Sequence, residues 1–328
     1  MATIVDVAKL AGVTPTTVSR VINNRGYISE KTRNKVNEAM DQLGYQPNEI
    51  ARSLTKQKSN TIGLIVPHIS HPYFAKLISN LENEAAKSGY KIILCNSKEK
   101  AEKEKQYLDM CKSNRVAGII LCSGNVESNK INTGNIPIVL LEKNFEDGKL
   151  GIQCDNYQGG KLATEHLIDC GCKRLLHFSG VIDEEMPADN REKAFIDICN
   201  ENNIEFFIRK YDINTYNEMN YYEYIKDTFN EIKNIDGIFA SSDLIAAQVI
   251  QVCNELNIRI PSDVKLVGFD DVEIAKLTTP TITTIHQPIK EMAKLAIELI
   301  DSKYKNIEVN EQTILPIELV VRNSTLNK

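Results

Sequence analysis

The first 45 residues place apolar side chains at a helical period. Apolar positions recur every three or four residues, as expected of short helices that each bury one face. The three predicted stripes are Ile4, Val7, Ala8 and Ala11; Val18, Val21 and Ile22; and Val36, Ala39, Met40 and Leu43. Gly12 and Gly44 follow the first and third stripes, where glycine commonly ends a helix. The pattern predicts three short helices separated by tight turns.

The second predicted helix carries many short polar side chains. Thr14 suits its N-cap, and Pro15 suits the first helical position, where a missing N–H is harmless. The polar residues left on the outside are Thr16, Thr17, Ser19, Arg20 and Asn23. A helix that follows another across a tight glycine turn is typical of a helix-turn-helix, whose second helix enters the DNA major groove. Arg20 can bond a guanine at two points. A capped surface helix in a small bundle is the alternative.

Residues 47–59 predict a short hinge helix and a linker. Pro47 and Asn48 suit the start of a helix. The apolar residues that then fall on one side are Ile50, Ala51 and Leu54. So short a helix is marginal alone in water and can fold when it meets a target. Leu54 is a candidate wedge between base steps in the minor groove. The alternative is that Leu54 packs against the rest of the protein.

From residue 60 onward, short continuous apolar runs alternate with amphipathic segments. The strand-like runs are TIGLIVP, KIILCN, GIILCS, IPIVLLE, RLLHFSG, GIFASS and VKLVGFDD, and the helix-like segments include KLISNLENEAAKSG and AAQVIQVCNELN. Buried parallel strands with crossover helices give a doubly wound α/β fold. Because about 270 residues exceed one such sheet, we expect two lobes with a cleft between them.

Ligands of doubly wound sheets bind beyond the carboxyl ends of the strands. The residues that follow the predicted strands, or begin the next helix, are His71, Tyr73, Phe74, Ser123, Gly124, Arg191, Ser242, Asp243, Asp270 and Asp271. An arginine and carboxylates can bond sugar hydroxyls, and aromatic faces can stack on a ring. Asp243 has an alternative role as the cap of its own helix, and we expect His286 to be structural.

Charge and composition narrow the function further. The 328 residues carry a formal charge of −5, yet residues 1–59 hold nine basic and five acidic residues and so carry +4. A basic head on an acidic body favours contact with a polyanion. No long apolar run and no signal peptide is present, which predicts a cytoplasmic protein without a membrane partner. Eight cysteines in this setting are expected to be free thiols. The sequence lacks GxSxG, P-loop, HExxH and GxGxxG motifs, which argues against an enzyme.

The chain resembles the lactose/galactose repressor family of bacterial transcription regulators. The N-terminal segments DVAKLAGVTPTTVSRVIN and SEKTRNKVNEAMDQLGYQPNEIARSL carry the resemblance, and it continues through TIGLIVP, DNYQGGKLATEHLIDCG, IFASSDLIAA, VKLVGFDD, TTIHQP and LPIELVVRNST. The resemblance implies a homodimer on a near-palindromic double-stranded operator, with paired hinge helices that open the minor groove. It also implies a body similar to periplasmic sugar-binding proteins, which closes on a small effector.

The resemblance assigns roles by position. It implies base reading by Pro15, Thr16 and Arg20, phosphate contacts by Ser29 and Thr32, and an anchor to the DNA backbone by Asn23. The expected DNA-contacting set also includes Thr14, Ser19, Ala51 and Leu54. In the body it places Arg191 and Asp270 at the main effector positions, with Asp155 as a weaker member of the set.

Two positions depart from the family pattern. His71 stands where the family often has asparagine, and it either retunes the ligand or caps the following helix. Ile213 stands where an aromatic residue often follows the aspartate, and Tyr216 could substitute for it. Both departures bear on the identity of the ligand more than on the fold.

These observations predict three parts. They are a helix-turn-helix domain at 1–46, a hinge helix and linker at 47–59, and an effector-binding and dimerisation domain at 60–328. Within the last, one lobe is expected at about 60–172 and 287–316, and the other at about 173–286 and 317–328.

The predicted function is repression of a carbohydrate-utilisation operon, released by a small sugar between the lobes, with ribose favoured and no metal or cofactor required. A global carbon regulator with a phosphorylated carrier protein as corepressor and a purine-responsive repressor are the alternatives. A transport binding protein would share the body but has no use for the head.

Overall fold

The computed structural model describes residues 2–46, 59–123, 134–145, 149–182, 186–305 and 307–326. Contacts along the chain divide it into two compact units, 1–59 and 60–328. The predicted hinge helix, with Ala51 and Leu54, lies outside the described residues, as does Gly124. None of the described helices is both long enough and apolar enough to cross a membrane.

The first unit contains three helices, as predicted. They are α1 (Ile4–Ala11), α2 (Pro15–Ile22) and α3 (Glu30–Gln42). A capping box between Thr3 and Asp6 begins α1, and Gly12 ends it with a left-handed φ of 67°. The apolar stripes meet in one small core built from Val7, Ala8, Ala11, Val18, Val21, Val36 and Ala39. The prediction for Leu43 was wrong: it follows the last turn of α3 and is exposed, because the helix ends one residue earlier.

The second unit contains two six-stranded sheets. In chain order the strands are β1 (Thr61–Val66), β2 (Lys91–Asn96), β3 (Gly118–Leu121), β4 (Ile138–Leu141), β5 (Leu150–Cys154), β6 (Arg174–Val181), β7 (Glu205–Tyr211), β8 (Gly237–Ala240), β9 (Lys265–Asp270), β10 (Thr283–His286), β11 (Gln312–Leu315) and β12 (Glu318–Val320). The first sheet has the order β11-β5-β4-β3-β1-β2, and the second has the order β12-β10-β9-β8-β6-β7. All neighbours are parallel except β10 and β12, which are antiparallel.

Helices cover both faces of each sheet, which makes each lobe doubly wound, as predicted. They are α4 (Pro72–Lys87), α5 (Ala101–Ser113), α6 (Asn156–Asp169), α7 (Asp189–Glu201), α8 (Ile213–Glu218), α9 (Tyr222–Glu231), α10 (Asp243–Glu255), α11 (Ile274–Leu277) and α12 (Ile289–Tyr304). Helices α4 and α12 pack together over one face of the first sheet, and α5 covers the other. The second sheet lies between α9 with α10 on one side and α6 with α7 on the other. Its inner strands β6, β8 and β9 are therefore buried along most of their length.

The chain crosses between the two sheets three times, after β5, after β10 and after β11. The first crossing comes earlier than the sequence suggested, because α6 packs on the second sheet. Ala163 and Leu167 of this helix share a core with Phe195, Phe239 and Phe269 of that lobe. Residues from 156 onward therefore belong to the second lobe, rather than to the first lobe up to about 172.

Candidate ligand cavity and DNA-reading surface

The head presents the residues that the sequence assigned to DNA contact. Thr14 caps α2 by accepting the Thr17 N–H at 3.2 Å, and Pro15 occupies the first helical position. Pro15, Thr16 and Arg20 are exposed, while Ser19 and Asn23 are half-buried. The geometry leaves the outer face of α2 open to solvent.

Two further contacts shape this surface. The Asn23 Nδ2 donates to the Ser19 carbonyl at 2.8 Å, so part of that amide is used within the helix. Ser29 caps α3, accepting the Thr32 N–H at 3.3 Å, and its Oγ lies 2.9 Å from the Thr32 Oγ1. Both predicted caps, Thr14 and Ser29, are thus confirmed, while their contacts with DNA remain predictions.

The body contains a partly open cavity of about 150 Å³. Six predicted effector residues line it, and they are His71, Tyr73, Phe74, Arg191, Ser242 and Asp270. The other lining residues are Glu99, Glu142, Gly180, Val181, Met186, Ala188, Asp189, Tyr211, Tyr216, Tyr221, Ser241 and Gln287. Tyr216, which the sequence offered in place of an aromatic at 213, is therefore part of the cavity.

Arg191 is fixed in position before any ligand arrives. Its guanidinium lies 3.5 Å from the centre of the Phe269 ring. The Nε donates to the Asn156 Oδ1 at 2.7 Å, and Nη1 donates to the Ser241 carbonyl at 2.8 Å. The side chain is only 7% exposed. Two of its five N–H donors are used in these contacts, so the remaining edge is oriented toward the cavity at little entropic cost.

The glycine pair of α6 places the Arg191 backbone. A methyl group at Gly160 would lie 2.4 Å from the Arg191 carbonyl oxygen, and one at Gly159 would lie 2.7 Å from the Phe269 ring. Helix α6 can approach α7 this closely because Gly160 has no side chain, and it can approach the sheet at Phe269 because Gly159 has none. The YQGG segment thus supports Arg191 by packing: Gly160 lies against the Arg191 backbone, and Gly159 lies against the Phe269 ring that carries the guanidinium.

Asp270 ends β9 at the floor of the cavity. Its Oδ1 accepts the Gln287 Nε2 at 2.7 Å. Burial raises the pKa of Asp270 to about 7, although the Arg191 charge acts to lower it. Its φ is 108°, and Glu142, another buried carboxylate of the lining, has a φ of 52°. Left-handed backbone at non-glycine residues is strained and is concentrated at ligand sites.

Glu142 extends this polar network into the first lobe. One carboxylate oxygen accepts the Cys154 N–H at 2.5 Å, and the other accepts the Asn156 Nδ2 at 3.0 Å. Burial raises the pKa of Glu142 above its ordinary value. Asn156 therefore links Glu142 to Arg191 across the two lobes, since it donates to Glu142 and accepts from Arg191.

Aromatic side chains from α4 line the first-lobe side. His71 caps α4, since its Nδ1 accepts the Tyr73 N–H at 3.3 Å, and it also lines the cavity. The capping role that the sequence offered for His71 is thus confirmed, while an effect of His71 on the choice of ligand remains a prediction. Phe74 lies edge-on to His71 at 5.7 Å and to Tyr73 at 5.1 Å between ring centres.

Two predicted effector residues do not reach the cavity. The Ser123 Oγ donates to the Glu104 Oε2 at 2.5 Å, so this hydroxyl points to α5. Asp155 caps α6 by accepting the Gln158 N–H at 2.9 Å. Both lie near strand ends as predicted, yet local hydrogen bonds turn them away from the ligand space.

The remaining candidates stabilise the second lobe. Asp243 is fully buried and accepts the Thr284 hydroxyl at 2.6 Å and the Val272 N–H at 2.9 Å. The cap of α10 is the neighbouring Ser242, which accepts the Ile245 N–H. Asp271 lies 2.5 Å from an Arg322 nitrogen and 2.9 Å from the His286 Nδ1, so His286 has the structural role expected.

Within the described residues, no group of three His, Cys, Asp or Glu side chains could hold a metal ion. All eight cysteines are free thiols. The described lining of the cavity offers hydrogen-bonding groups, charged groups and aromatic faces.

Comparisons with known proteins agree with this geometry. Residues 3–48 match the model of bacterial regulatory proteins of the lacI family, and residues 164–325 match a periplasmic binding protein-like domain. The sucrose operon repressor of Streptococcus mutans is 38% identical over 98% of both chains. The ribose operon repressor of Halalkalibacterium halodurans is 34% identical over 99% of this chain and 97% of its own.

Solved structures extend the comparison to the fold. A LacI-type regulator from Alkaliphilus metalliredigens, in complex with D-xylulofuranose, is 35% identical with a TM-score of 0.75, over 82% of this chain and all of its own. A lac repressor dimer bound to operator is 24% identical with a TM-score of 0.87, over 99% of both chains, and this likeness shows the fold.

A helix-turn-helix head and a two-lobed body with an internal cavity define a ligand-responsive DNA-binding regulator. The chain belongs to the lacI family of bacterial regulatory proteins. It is a transcriptional repressor of that family and not an enzyme.

Proposed function

We propose that the chain represses a carbohydrate-utilisation operon as a homodimer, and that a single sugar ring bound in the cavity releases the DNA. Two relatives of 34–38% identity are named as repressors of sucrose and ribose operons. A third, at 35% identity, has been solved with a ketopentose in its furanose form. These names support a sugar effector, and D-xylulose and D-ribose are the first members of the class to try.

The observation that carries this proposal is the fixed guanidinium of Arg191 beside Asp270. A sugar hydroxyl both donates and accepts, so it can accept from Arg191 while donating to Asp270. Phe74 and His71 supply the apolar faces against which a sugar ring stacks. Because burial already holds these groups in place, the ligand does not have to order them on binding.

The size of the cavity favours one ring over two. Apolar cavities of about 150 Å³ accommodate a single six-membered ring. The cavity described here has the same volume. The second ring of a disaccharide would have to extend out of the open side of the cavity, so we expect monosaccharides to bind more tightly than sucrose or cellobiose.

The head supplies the DNA contacts in this proposal. The contacting residues are Thr14, Pro15, Thr16, Ser19, Arg20, Asn23, Ser29 and Thr32, together with Ala51 and Leu54 of the segment outside the described residues. Two heads on a near-palindromic operator would place their α2 helices in successive major grooves. Leu54→Ala should then weaken operator binding and leave ligand affinity unchanged.

The test combines ligand binding with operator release. An operator duplex is first selected from a random library with the full chain. Fluorescence anisotropy then follows its release by D-ribose, D-xylulose, D-fructose, sucrose, hypoxanthine and guanine. We expect at least one monosaccharide to weaken operator binding by tenfold or more, roughly the range of measured allosteric couplings. Release by a purine alone, or tighter binding caused only by a phosphorylated carrier protein, would contradict the sugar assignment.

A further inference from the structure

We propose that the cavity selects uncharged ligands and rejects the phosphate esters of the sugars that it binds. This inference rests on the proposed function, because it names the chemical class of effector for the same site. It concerns a choice that the relatives' names leave open, since a free sugar and its phosphate are both products of sugar uptake.

The ionisable side chains around the cavity are mostly acidic. Among the described lining residues, the carboxylates are Glu99, Glu142, Asp189 and Asp270. Arg191 is the single arginine or lysine of this set. The nearby Lys76 donates to the Asp271 carbonyl at 2.8 Å, and Lys210 lies 3.2 Å from Glu192. Neither lysine is among the described lining residues. A phosphate would meet one cation and several carboxylates.

His71 does not add a second cation. Burial, reinforced by the neighbouring His68, lowers the pKa of His71 to about 4. The ring nitrogen Nδ1 accepts the Tyr73 N–H, which also requires the unprotonated form at that atom. At neutral pH the imidazole therefore offers an aromatic face and no positive charge.

Three helix N-termini reach the cavity, and at two of them a side chain already accepts one of the helix-start N–H groups. Free N–H groups at a helix start are a common phosphate site. At α4 the His71 side chain accepts the Tyr73 N–H, and at α10 the Ser242 Oγ accepts the Ile245 N–H at 3.3 Å. Before α7, the Asp189 carboxylate accepts the Met186 N–H at 2.7 Å. This last contact puts a negative charge where an anion would otherwise bind.

Two polar atoms of the described cavity lining lack partners, and both are neutral. The Tyr73 hydroxyl and the Gln287 Oε1 are buried, and neither has a hydrogen-bond partner in the described parts of the chain. One is a donor and the other an acceptor, which suits a ligand hydroxyl that does both. An unpaired buried polar atom is costly, so a ligand that satisfies these two gains affinity. A phosphate oxygen could accept from Tyr73 but would oppose Gln287.

The experiment measures paired affinities by isothermal titration calorimetry with the full chain. The pairs are D-ribose with D-ribose 5-phosphate, D-xylulose with D-xylulose 5-phosphate, and D-fructose with D-fructose 6-phosphate. For the sugar that binds, we expect the ester to bind roughly 100-fold more weakly, as one unfavourable charge pair at a partly screened site predicts. An ester that binds as tightly as its free sugar overturns the inference.

Variants locate the source of the rejection. Asp189→Asn keeps an oxygen for the Met186 N–H but removes the charge. It should reduce the ratio of sugar affinity to ester affinity roughly tenfold. Asp197→Asn is the matched control, because it removes one charge from the same helix. The Asp197 carboxylate accepts the Tyr157 hydroxyl at 2.9 Å and is not part of the described cavity lining. If Asp197→Asn reduced the ratio of sugar affinity to ester affinity as much as Asp189→Asn does, the result would contradict a role for the cavity charges.

A second arm separates this inference from the sugar assignment. Inorganic phosphate is titrated against the wild type and the double variant Asp189→Asn, Glu142→Gln, with line broadening in ³¹P NMR as the readout. We expect saturable binding at least tenfold tighter in the double variant, and its loss when Arg191→Ala is added. If no sugar binds but this gain is seen, the sugar assignment fails while anion rejection stands. If the double variant gains nothing, anion rejection fails whatever the sugars do.

Discussion

The head and the body hold their arginines in opposite ways. Arg20 lies on the exposed face of a short helix. Arg191 is 7% exposed, lies on an aromatic ring and donates to Asn156 and Ser241. A DNA duplex is highly charged and hydrated, so an exposed arginine can bind it without a prearranged environment. A small uncharged ligand has no such field, so the groups that bind it must be oriented in advance.

This difference has a consequence for stability. Residues that read DNA from a solvated surface contribute little to folding, and their replacement should change function alone. Residues that line a buried cavity also support the lobes around it, so their replacement should change both. The substitutions below test that division, from the largest expected effect to the smallest.

Arg191→Ala should have the largest effect. It removes a charge that lies near Asp270 and Glu142, and it leaves the Asn156 and Ser241 oxygens without their donors. We expect a loss of about 3 kcal/mol in the free energy of unfolding, measured by urea denaturation. Ligand affinity should fall by roughly 100-fold or more, since two charge-assisted hydrogen bonds are lost.

Arg209→Ala is the control for that change. Arg209 lies 2.8 Å from Glu231 on a part-exposed surface, where an ion pair is worth less than about 1 kcal/mol. Ligand affinity that stays within twofold of wild type in Arg191→Ala would place the site elsewhere.

Arg20→Ala should change DNA reading without changing the fold. We expect operator affinity to fall roughly 10- to 100-fold, the value of one bidentate base contact. The free energy of unfolding should stay within about 0.5 kcal/mol, because the side chain is exposed. A random-sequence duplex serves as the comparison, and equal losses on both duplexes would make Arg20 a phosphate contact.

Asp270→Asn should stabilise the body at high pH. Burial raises the pKa of Asp270 from 3.8 to about 7. Between those values the folded chain keeps a proton that the unfolded chain has lost, so the free energy of unfolding decreases as the pH rises from about 4 to about 7. Asparagine avoids this loss and retains an oxygen for Gln287. Urea denaturation should show the variant about 2 kcal/mol more stable than wild type at pH 8, with a smaller difference at pH 5.

Asp263→Asn gives the opposite sign and is the control. Hydrogen bonds from Arg259 lower the pKa of Asp263 to about 2. The contribution of Asp263 to the free energy of unfolding is present above pH 4 and is lost as the pH falls toward 2. Asp263→Asn should therefore be less stable than the wild type at neutral pH. A stability gain for Asp270→Asn that does not vary with pH would argue against a buried carboxylate as its source.

Two cap substitutions complete the series. Thr14 accepts the Thr17 N–H at 3.2 Å in the head, and Ser242 accepts the Ile245 N–H at 3.3 Å in the body. Replacement of either by alanine should cost about 1 kcal/mol. Hydrogen exchange should show faster exchange in α2 for Thr14→Ala and in α10 for Ser242→Ala. Ligand affinity should fall only in Ser242→Ala. A fall in both variants would contradict the separate roles of the head and the body.

Sequence reasoning reached the head more completely than the body. Helix caps and apolar stripes are local, so Thr14, Ser29 and the core from Val7 to Ala39 follow directly from the pattern. The strands with continuous apolar runs were also predicted. Strands β5, β7, β10, β11 and β12 were not among the predicted runs. Strands β7, β11 and β12 are partly exposed and mix polar with apolar residues. Strands β5 and β10 are mostly buried, but they are short and include a glutamine or threonines.

The cavity shows where local reasoning ends. The search at strand ends and helix starts found Arg191 and Asp270 and also selected Ser123, while the family resemblance added Asp155. The side chains of Ser123 and Asp155 turn to other partners. Glu142 directly follows β4 and would have been found by the same rule applied to IPIVLLE. Gln287, Tyr211 and Tyr221 gave no such signal, because their roles depend on strands that were missed or on contacts between the lobes.

The most direct test of the account is reciprocal linkage between the cavity and the operator. Operator affinity is measured by anisotropy with and without saturating monosaccharide, and sugar affinity is measured by calorimetry with and without saturating operator. Because the two sites belong to one thermodynamic cycle, each ligand must change the affinity of the other by the same factor. We predict a factor of at least ten, lost in Arg191→Ala. Operator affinity that is unchanged at saturating sugar, while the sugar binds the cavity, would contradict the central claim.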